Sequence, residues 1–210
     1  MNYVDLIADE NLWIGNYDAG RSGWALDRVV IHHNAGVRLS HQGVFGSFTS
    51  NGTSAHYNVD ADGTVAQYVH DGDTAYHTGD YPTNCRSIGI EHANIGGAST
   101  GWAISEETVE SGAHLVAGIC AAYGLGRPEW RVNVFPHSDF FNTACPAALR
   151  DKLAGQYIAR AQYWYDHLGE AAGPGWVKEG NGWWYRREDG SWETGWFQVG
   201  GRWYWAGSDG

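Results

Sequence analysis

The chain has 210 residues, 43% of them hydrophobic, which suits one packed domain with a smaller unit attached and excludes a disordered polymer. Its formal net charge is -11, which excludes nucleic acid as a partner because phosphate binding needs basic patches. No apolar run reaches membrane-spanning length, so no membrane partner is expected.

In chain order, residues 1–27 read as irregular, with turn signals at Asn16 and Gly20. The run Leu26 to His33 reads as a buried strand that ends in two histidines, His32 and His33. Ser40 to Phe48 predicts a short helix with Ser40 as its N-cap. Two alternating runs, Ser54 to Asp60 and Thr64 to Val69, flank Asp62-Gly63 and predict a hairpin. Ser87 to Glu91 is a further interior strand with Glu91 at its C-terminal end. The best helix is Ser105 to Tyr123, with Ser105 as cap, Glu106 and Glu107 in the first turn and Gly124 at the stop. Val132 to Phe135 is a short strand that leads into His137. Pro146 to Leu168 carries the last long helical pattern.

The stretch His137 to Pro146 organises the functional expectation. It sets an imidazole and a thiol eight positions apart, with Pro146 opening a helical pattern. Proline is favoured at a first helical position, so Cys145 is expected at or just before a helix N-terminus, where the helix dipole favours the thiolate. His32, His137 and Cys145 would make a three-ligand zinc site with one open position, the form expected of a catalytic zinc. His33 should point to the opposite face of the strand and is the weaker ligand candidate. Cys120 reads as core and Cys85 as a turn residue, with a bridge between them left open. Asp71, Asp73 and Asp80 read as a solvated loop face, and His114 reads as helix packing.

The composition changes at 171–175, a Gly-Pro-Gly linker, and seven of the twelve tryptophans lie beyond it. Gly175-Trp176 recurs as Gly195-Trp196, Trp183-Trp184-Tyr185 as Trp203-Tyr204-Trp205, and Asp189-Gly190 as Asp209-Gly210, all at an offset of twenty. A short fixed period implies stacked hairpins that cannot bury their surfaces alone, so more copies or a dimer through the repeats is expected. Trp183 and Tyr185 should share one strand face, with Trp184 on the other and Trp196 completing an aromatic box for a quaternary ammonium. The repeat resembles the choline-binding, cell-wall-binding repeats of Gram-positive lytic enzymes. That resemblance implies wall-ligand contacts at Trp176, Trp183, Tyr185, Trp192, Trp196 and Trp203, and choline-bearing teichoic acid as a wall polymer it could bind. Trp192 departs from the methionine common at that place in such repeats.

The segments Val30-Ile31-His32-His33-Asn34, Ser54-Ala55-His56-Tyr57, Asp62-Gly63-Thr64-Val65, Ala75-Tyr76-His77-Thr78-Gly79, Arg86 to Glu91 and His137 to Pro146 resemble the type 2 N-acetylmuramoyl-L-alanine amidases. That zinc family includes phage endolysins and peptidoglycan recognition proteins. The resemblance implies an α/β domain over residues 1–170, with a mixed central sheet flanked by helices, followed by a β-hairpin repeat module over 176–210. It implies zinc on His32, His137 and Cys145, Glu91 as general base, Thr143 as oxyanion donor, and His56 and His77 near the substrate, while Asn94 opens a Gly-rich loop, Asn94 to Gly101, that reads as bordering the peptide groove. Ala55 stands where some phage relatives place a catalytic tyrosine, which shifts the expected base to Glu91. The implied reaction is hydrolysis of the bond between N-acetylmuramic acid and L-alanine in peptidoglycan. The N-terminus has no secretory signal pattern, so the expected location is the host cytoplasm until release, for example by host lysis through a holin, or the cell exterior by another route. A binding-only protein on the same fold is the alternative, and a glycosidase is disfavoured because only Glu91 is placed as a paired acid would be.

Overall fold

The computed structural model describes residues 1–168, 175–179, 182–187 and 191–207. The backbone divides into two compact units, Met1–Leu168 and Gly169–Gly210.

In the first unit the elements are β1 (Glu10–Asn11), β2 (Tyr17–Asp18), β3 (Arg28–Ile31), α1 (His41–Asn51), β4 (Tyr57–Val59), β5 (Val65–Gln67), β6 (Thr74–Ala75), α2 (Tyr81–Arg86), β7 (Ser87–His92), α3 (Glu106–Ala122), β8 (Val134–Pro136), α4 (Ala148–Asp151) and α5 (Ala154–Asp166). Six strands form one mixed sheet in the order β1-β5-β4-β7-β3-β8. The four strands β4, β7, β3 and β8 run parallel, while β5 turns back antiparallel on β4. The short pair β2–β6 lies outside this sheet.

The middle strands are buried along most of their length, and α3 and α5 cover one of their faces. Val29, Ile31, Ile88 and Ile90 pack with Val109, Leu115, Val116 and Ile119 of α3 and with Tyr157 and Ile158 of α5. Ala66 of β5 lies instead in a second cluster with Val44 and Phe48 of α1. Ser105 caps α3 by accepting from the Thr108 amide at 3.1 Å. Ser40 caps α1 by accepting from the Gly43 amide at 3.3 Å. His114 on α3 is sandwiched between Tyr3 and Trp164, with ring centroids 3.7 and 3.9 Å away.

Several expectations need correction. Residues 1–27 hold β1 and β2, which at two residues each are too short to show a period in sequence. The pattern from Pro146 to Leu168 is two helices, α4 and α5, separated at Lys152 and Leu153. Cys85 and Cys120 are both buried and free, so they form no bridge. The three aspartates are structural acceptors. Asp71 accepts from the Tyr57 and Tyr123 hydroxyls at 3.0 and 2.9 Å, Asp73 from the Gly20 amide at 2.8 Å, and Asp80 from the Thr83 amide at 3.0 Å.

The second unit contains two antiparallel hairpins, β9 (Gly175–Glu179) with β10 (Gly182–Arg186), and β11 (Gly195–Val199) with β12 (Arg202–Ala206). The register repeats at the sequence offset, Val177 opposite Trp184 and Phe197 opposite Tyr204. Gly200 and Gly201 turn the second hairpin with φ of 55° and 79°, the left-handed pair a tight hairpin needs. Phe197 and Ala206 are buried, whereas Trp183, Trp196, Trp203 and Trp205 are each more than half exposed. The rings of Tyr185 and Phe197 lie 5.2 Å apart, those of Trp184 and Trp192 5.8 Å, and those of Trp196 and Trp205 5.6 Å. Tyr185 therefore helps join the two hairpins. The Trp176 side chain, Asp189-Gly190 and Asp209-Gly210 lie outside the described residues, as does most of the 171–175 linker.

Candidate metal centre and cleft

The sheet lines up the polar chemistry at the C-terminal ends of its parallel strands. Ile31 pairs with Ile90 and with Pro136, so the next residues along β3, β7 and β8 are His32, Glu91 and His137. Alternation along β3 sends Ile31 into the α3–α5 core, so His32 emerges on the other face. His33 turns away and meets Asn94, Nδ1 to Oδ1, at 3.0 Å. Its backbone amide donates to Cys145 Sγ at 3.4 Å. The loop after β8 is folded back by a bond from the Ser138 amide to the Cys145 carbonyl at 3.1 Å.

His32, His137 and Cys145 offer ligand atoms that all lie within 4.8 Å of one another. Among the described residues no other group of three does so. Two imidazoles and a thiol form a donor set suited to zinc, with room for a further ligand. His137 Nε2 donates to the Thr78 carbonyl at 3.2 Å, which leaves Nδ1 with its lone pair. Burial pushes both imidazoles below the usual histidine range, and for His32 the neighbouring His77 and His137 add to it. Both are therefore neutral and able to ligate. Cys145 differs from expectation. The helix that follows starts at Ala148 and is a single turn, so it lends the sulfur little dipole support. Burial, and then the nearby Glu91 carboxyl, push the thiol up. The thiol would ionise when it shares a cation with the two imidazoles.

These three residues line a cleft of about 220 Å³, together with His77, Glu91, Thr143, Tyr76 and Phe48. Burial pushes the Glu91 carboxyl up to about 8, and its Oε2 atom is enclosed without a hydrogen-bond partner. Thr143 Oγ1 accepts from the Cys145 amide at 3.2 Å. A side cavity of about 170 Å³ shares Glu91, Phe48 and Thr53 with the cleft and is also walled by Asn34, Leu39 and Val44. Both polar atoms of the Asn34 side chain are enclosed and lack hydrogen-bond partners in the fold. The sequence carried a signal for Asn34, since it stands two positions after His32 on the same strand-end face.

Two of the residues expected at the substrate do not reach the cleft. His56 is fully buried, takes the Gly89 amide on Nδ1 at 3.0 Å, and has Arg21 and the Asp73 carbonyl at Nε2. Burial, followed by the Arg21 charge, lowers it to about 3. Asn94 is fully buried between His33 and the Trp102 carbonyl. Each is held by protein partners and presents no surface to a ligand.

A family model described as N-acetylmuramoyl-L-alanine amidase matches residues 23–148, more than half of the chain. The chain belongs to this amidase family. The match spans His32, Glu91, His137, Thr143 and Cys145. A second family model, for a cell wall binding repeat, matches residues 175–191 and 194–210. No curated protein matches the chain. Among solved structures, an endolysin N-acetylmuramoyl-L-alanine amidase from Clostridium intestinale is 17% identical, with a TM-score of 0.52, over 67% of this chain and 89% of that one. The Staphylococcus aureus hydrolase AmiA in complex with its ligand is 19% identical, with a TM-score of 0.60, over 80% of this chain and 89% of that one. An endolysin of a Thermus scotoductus bacteriophage is 19% identical, with a TM-score of 0.55, over 72% of this chain and 97% of that one. At these identities the likeness to the solved structures is one of fold, and it agrees with the amidase architecture.

Proposed function

We propose that the chain is a zinc-dependent N-acetylmuramoyl-L-alanine amidase, an endolysin or autolysin that cuts peptidoglycan and is targeted to the wall by its repeats. The boundaries proposed are a catalytic domain over 1–170, a linker over 171–175 and the wall-binding repeats over 176–210. The observation that carries the proposal is the convergence of His32, His137 and Cys145 within 4.8 Å in a chain of this family.

Zinc held by His32, His137 and Cys145 would supply Lewis acidity and an acidified water. Glu91 lines the same cleft and would take a proton from the attacking water. A carboxyl pushed up to about 8 binds and releases a proton near neutral pH, as a general acid–base needs. The same group would return the proton to the L-alanine nitrogen as the carbon–nitrogen bond breaks, since an amine leaves poorly as an anion. The Thr143 hydroxyl, which accepts from the Cys145 amide at the rim of the same cleft, would donate to the oxygen of the carbonyl under attack. The Asn34 amide, which offers both a donor and an acceptor, would bind a peptide group of the substrate in the side cavity. A chelator should abolish clearing of cell-wall suspensions, zinc should restore it, and new free amino termini should appear without new reducing ends. Clearing that survives exhaustive chelation would end the proposal.

The repeats would bind a wall polymer, with choline-bearing teichoic acid the proposed form. The exposed rings of Trp183, Trp196, Trp203 and Trp205 suit a quaternary ammonium, at about 0.5–2 kcal/mol per cation–π contact. Trp205 was not among the residues expected from sequence, yet its ring meets Trp196 across the hairpin. The protein should stay on a choline-substituted resin and elute with free choline, and Trp203→Ala should shorten retention. Elution by salt and not by choline would point to another wall ligand.

A further inference from the structure

We propose that His77 is a positioning residue for the metal site, with Ser87 behind it, and that it makes no polar contact with substrate. This rests on the zinc-site proposal above.

A run of hydrogen bonds fixes where each proton sits. Ser87 Oγ lies 2.6 Å from the Thr83 carbonyl, which can only accept, so the hydroxyl proton is spent there. At 3.1 Å from His77 Nε2 the same hydroxyl must then accept, which puts the His77 proton on Nε2. His77 Nδ1 is left with a lone pair, 2.9 Å from His32 Nε2. His32, neutral as a metal ligand must be, therefore carries its proton on Nε2. Its bare Nδ1 lies 3.8 Å from Cys145 Sγ. The relay from Thr83 through Ser87 and His77 thus selects the ligating nitrogen of His32 and fixes the rotation of its ring.

The fold makes room for this relay. A Cβ on Gly89 would sit 2.6 Å from His77 Nδ1, so the β7 backbone passes under the ring only because glycine stands there. The His77 and His32 rings meet edge-on with centroids 5.1 Å apart, and the His56 ring closes the other side at 5.8 Å. Although His77 borders the cleft, both of its nitrogens are engaged, one by a metal-ligand candidate and one by Ser87. No polar atom remains for a substrate. A partner on the second nitrogen of a ligating histidine raises its basicity and fixes its tautomer, and losing that partner costs metal affinity.

The test compares His77→Leu, His77→Asn and Ser87→Ala with the parent. Zinc affinity is read by chelator competition, and the His32 tautomer by nitrogen-15 NMR of the zinc-loaded protein. His77→Leu should weaken zinc binding about 10–100-fold. His77→Asn, whose amide oxygen can accept from His32, should recover most of that loss. Ser87→Ala should fall between them, and the parent should show His32 protonated on Nε2. At saturating zinc, KM should stay at the parent value in all three. The proposal is overturned if His77→Leu and His77→Asn bind zinc equally well, if His32 carries its proton on Nδ1, or if KM rises while zinc affinity holds. Should His77→Leu fail to fold, Ser87→Ala and the parent NMR spectrum still decide. A parent that binds no zinc would instead bring down the metal-site proposal itself.

Discussion

Glu91→Gln should keep its zinc and lose nearly all hydrolysis, with kcat falling by about 10²–10⁴. Glutamine preserves shape and hydrogen-bonding capacity but cannot carry a proton between water and the leaving nitrogen. The three candidate ligands lie just past the end of β3, on the turn after β8 and on the loop beyond, so none should move. Elemental analysis should find near-stoichiometric zinc in the variant beside an almost silent turnover assay. Turnover near the parent level would remove Glu91 from the reaction.

The same substitution has a thermodynamic signature that needs no substrate. Burial raises the Glu91 carboxyl from its ordinary 4.5 to about 8, so between those values the folded state holds a proton that the unfolded chain has released. Stability contributed by a group that binds more protons when folded is lost as pH rises. Glu91 should thus cost the metal-free protein nothing below about pH 4.5, and progressively more up to about pH 8. Metal-free Glu91→Gln should melt above the metal-free parent at pH 8 and level with it near pH 4. Parallel melting curves across that range would mean that Glu91 is already ionised in the fold.

Much of the fold could be read from sequence because local rules and burial agreed. The run Val29 to Ile31 is apolar because it is fully buried, with Val29 and Ile31 packed under α3 and α5, and Ser105, Glu106 and Glu107 mark the start of α3 as capping rules predict. The twenty-residue period maps directly onto two hairpins of equal register. What escaped was tertiary in origin. No proline or glycine marks the break between α4 and α5 at Lys152 and Leu153, so the helical pattern looked continuous. Asp71 looked like a surface acid because its partners Tyr57 and Tyr123 come from elements distant in the chain. His56 and Asn94 have the residue types of a binding site, and only their enclosing neighbours show that they serve the interior. His77 belongs to the same lesson, since residue type suggested substrate and the geometry points to a ligand's partner. Asn34 was legible by strand alternation from His32, although the motif drew attention to the histidines.

Cys145→Ser should lose the metal. A serine hydroxyl does not ionise near neutral pH, so the site would drop to two neutral imidazoles and no anionic ligand. The loss in zinc affinity should exceed the about 10–100-fold that follows from disturbing a ligand's partner. Hydrolysis should fall in step with metal content, and added zinc should recover only part of it. The fold should survive, because Cys145 belongs to neither core cluster and serine keeps the backbone bonds to Ser138 and Thr143. The metal-free variant should therefore melt close to the metal-free parent, within about 1 kcal/mol of stability. Serine should even ease burial at this position in the metal-free state no more than slightly, since the thiol is pushed up and enters the fold uncharged. Set beside Glu91→Gln, the pair separates two ways of losing activity, one with the zinc retained and the other with it gone. If Cys145→Ser retains stoichiometric zinc at nanomolar protein, the sulfur is not a ligand, and His32 and His137 would need a different third partner.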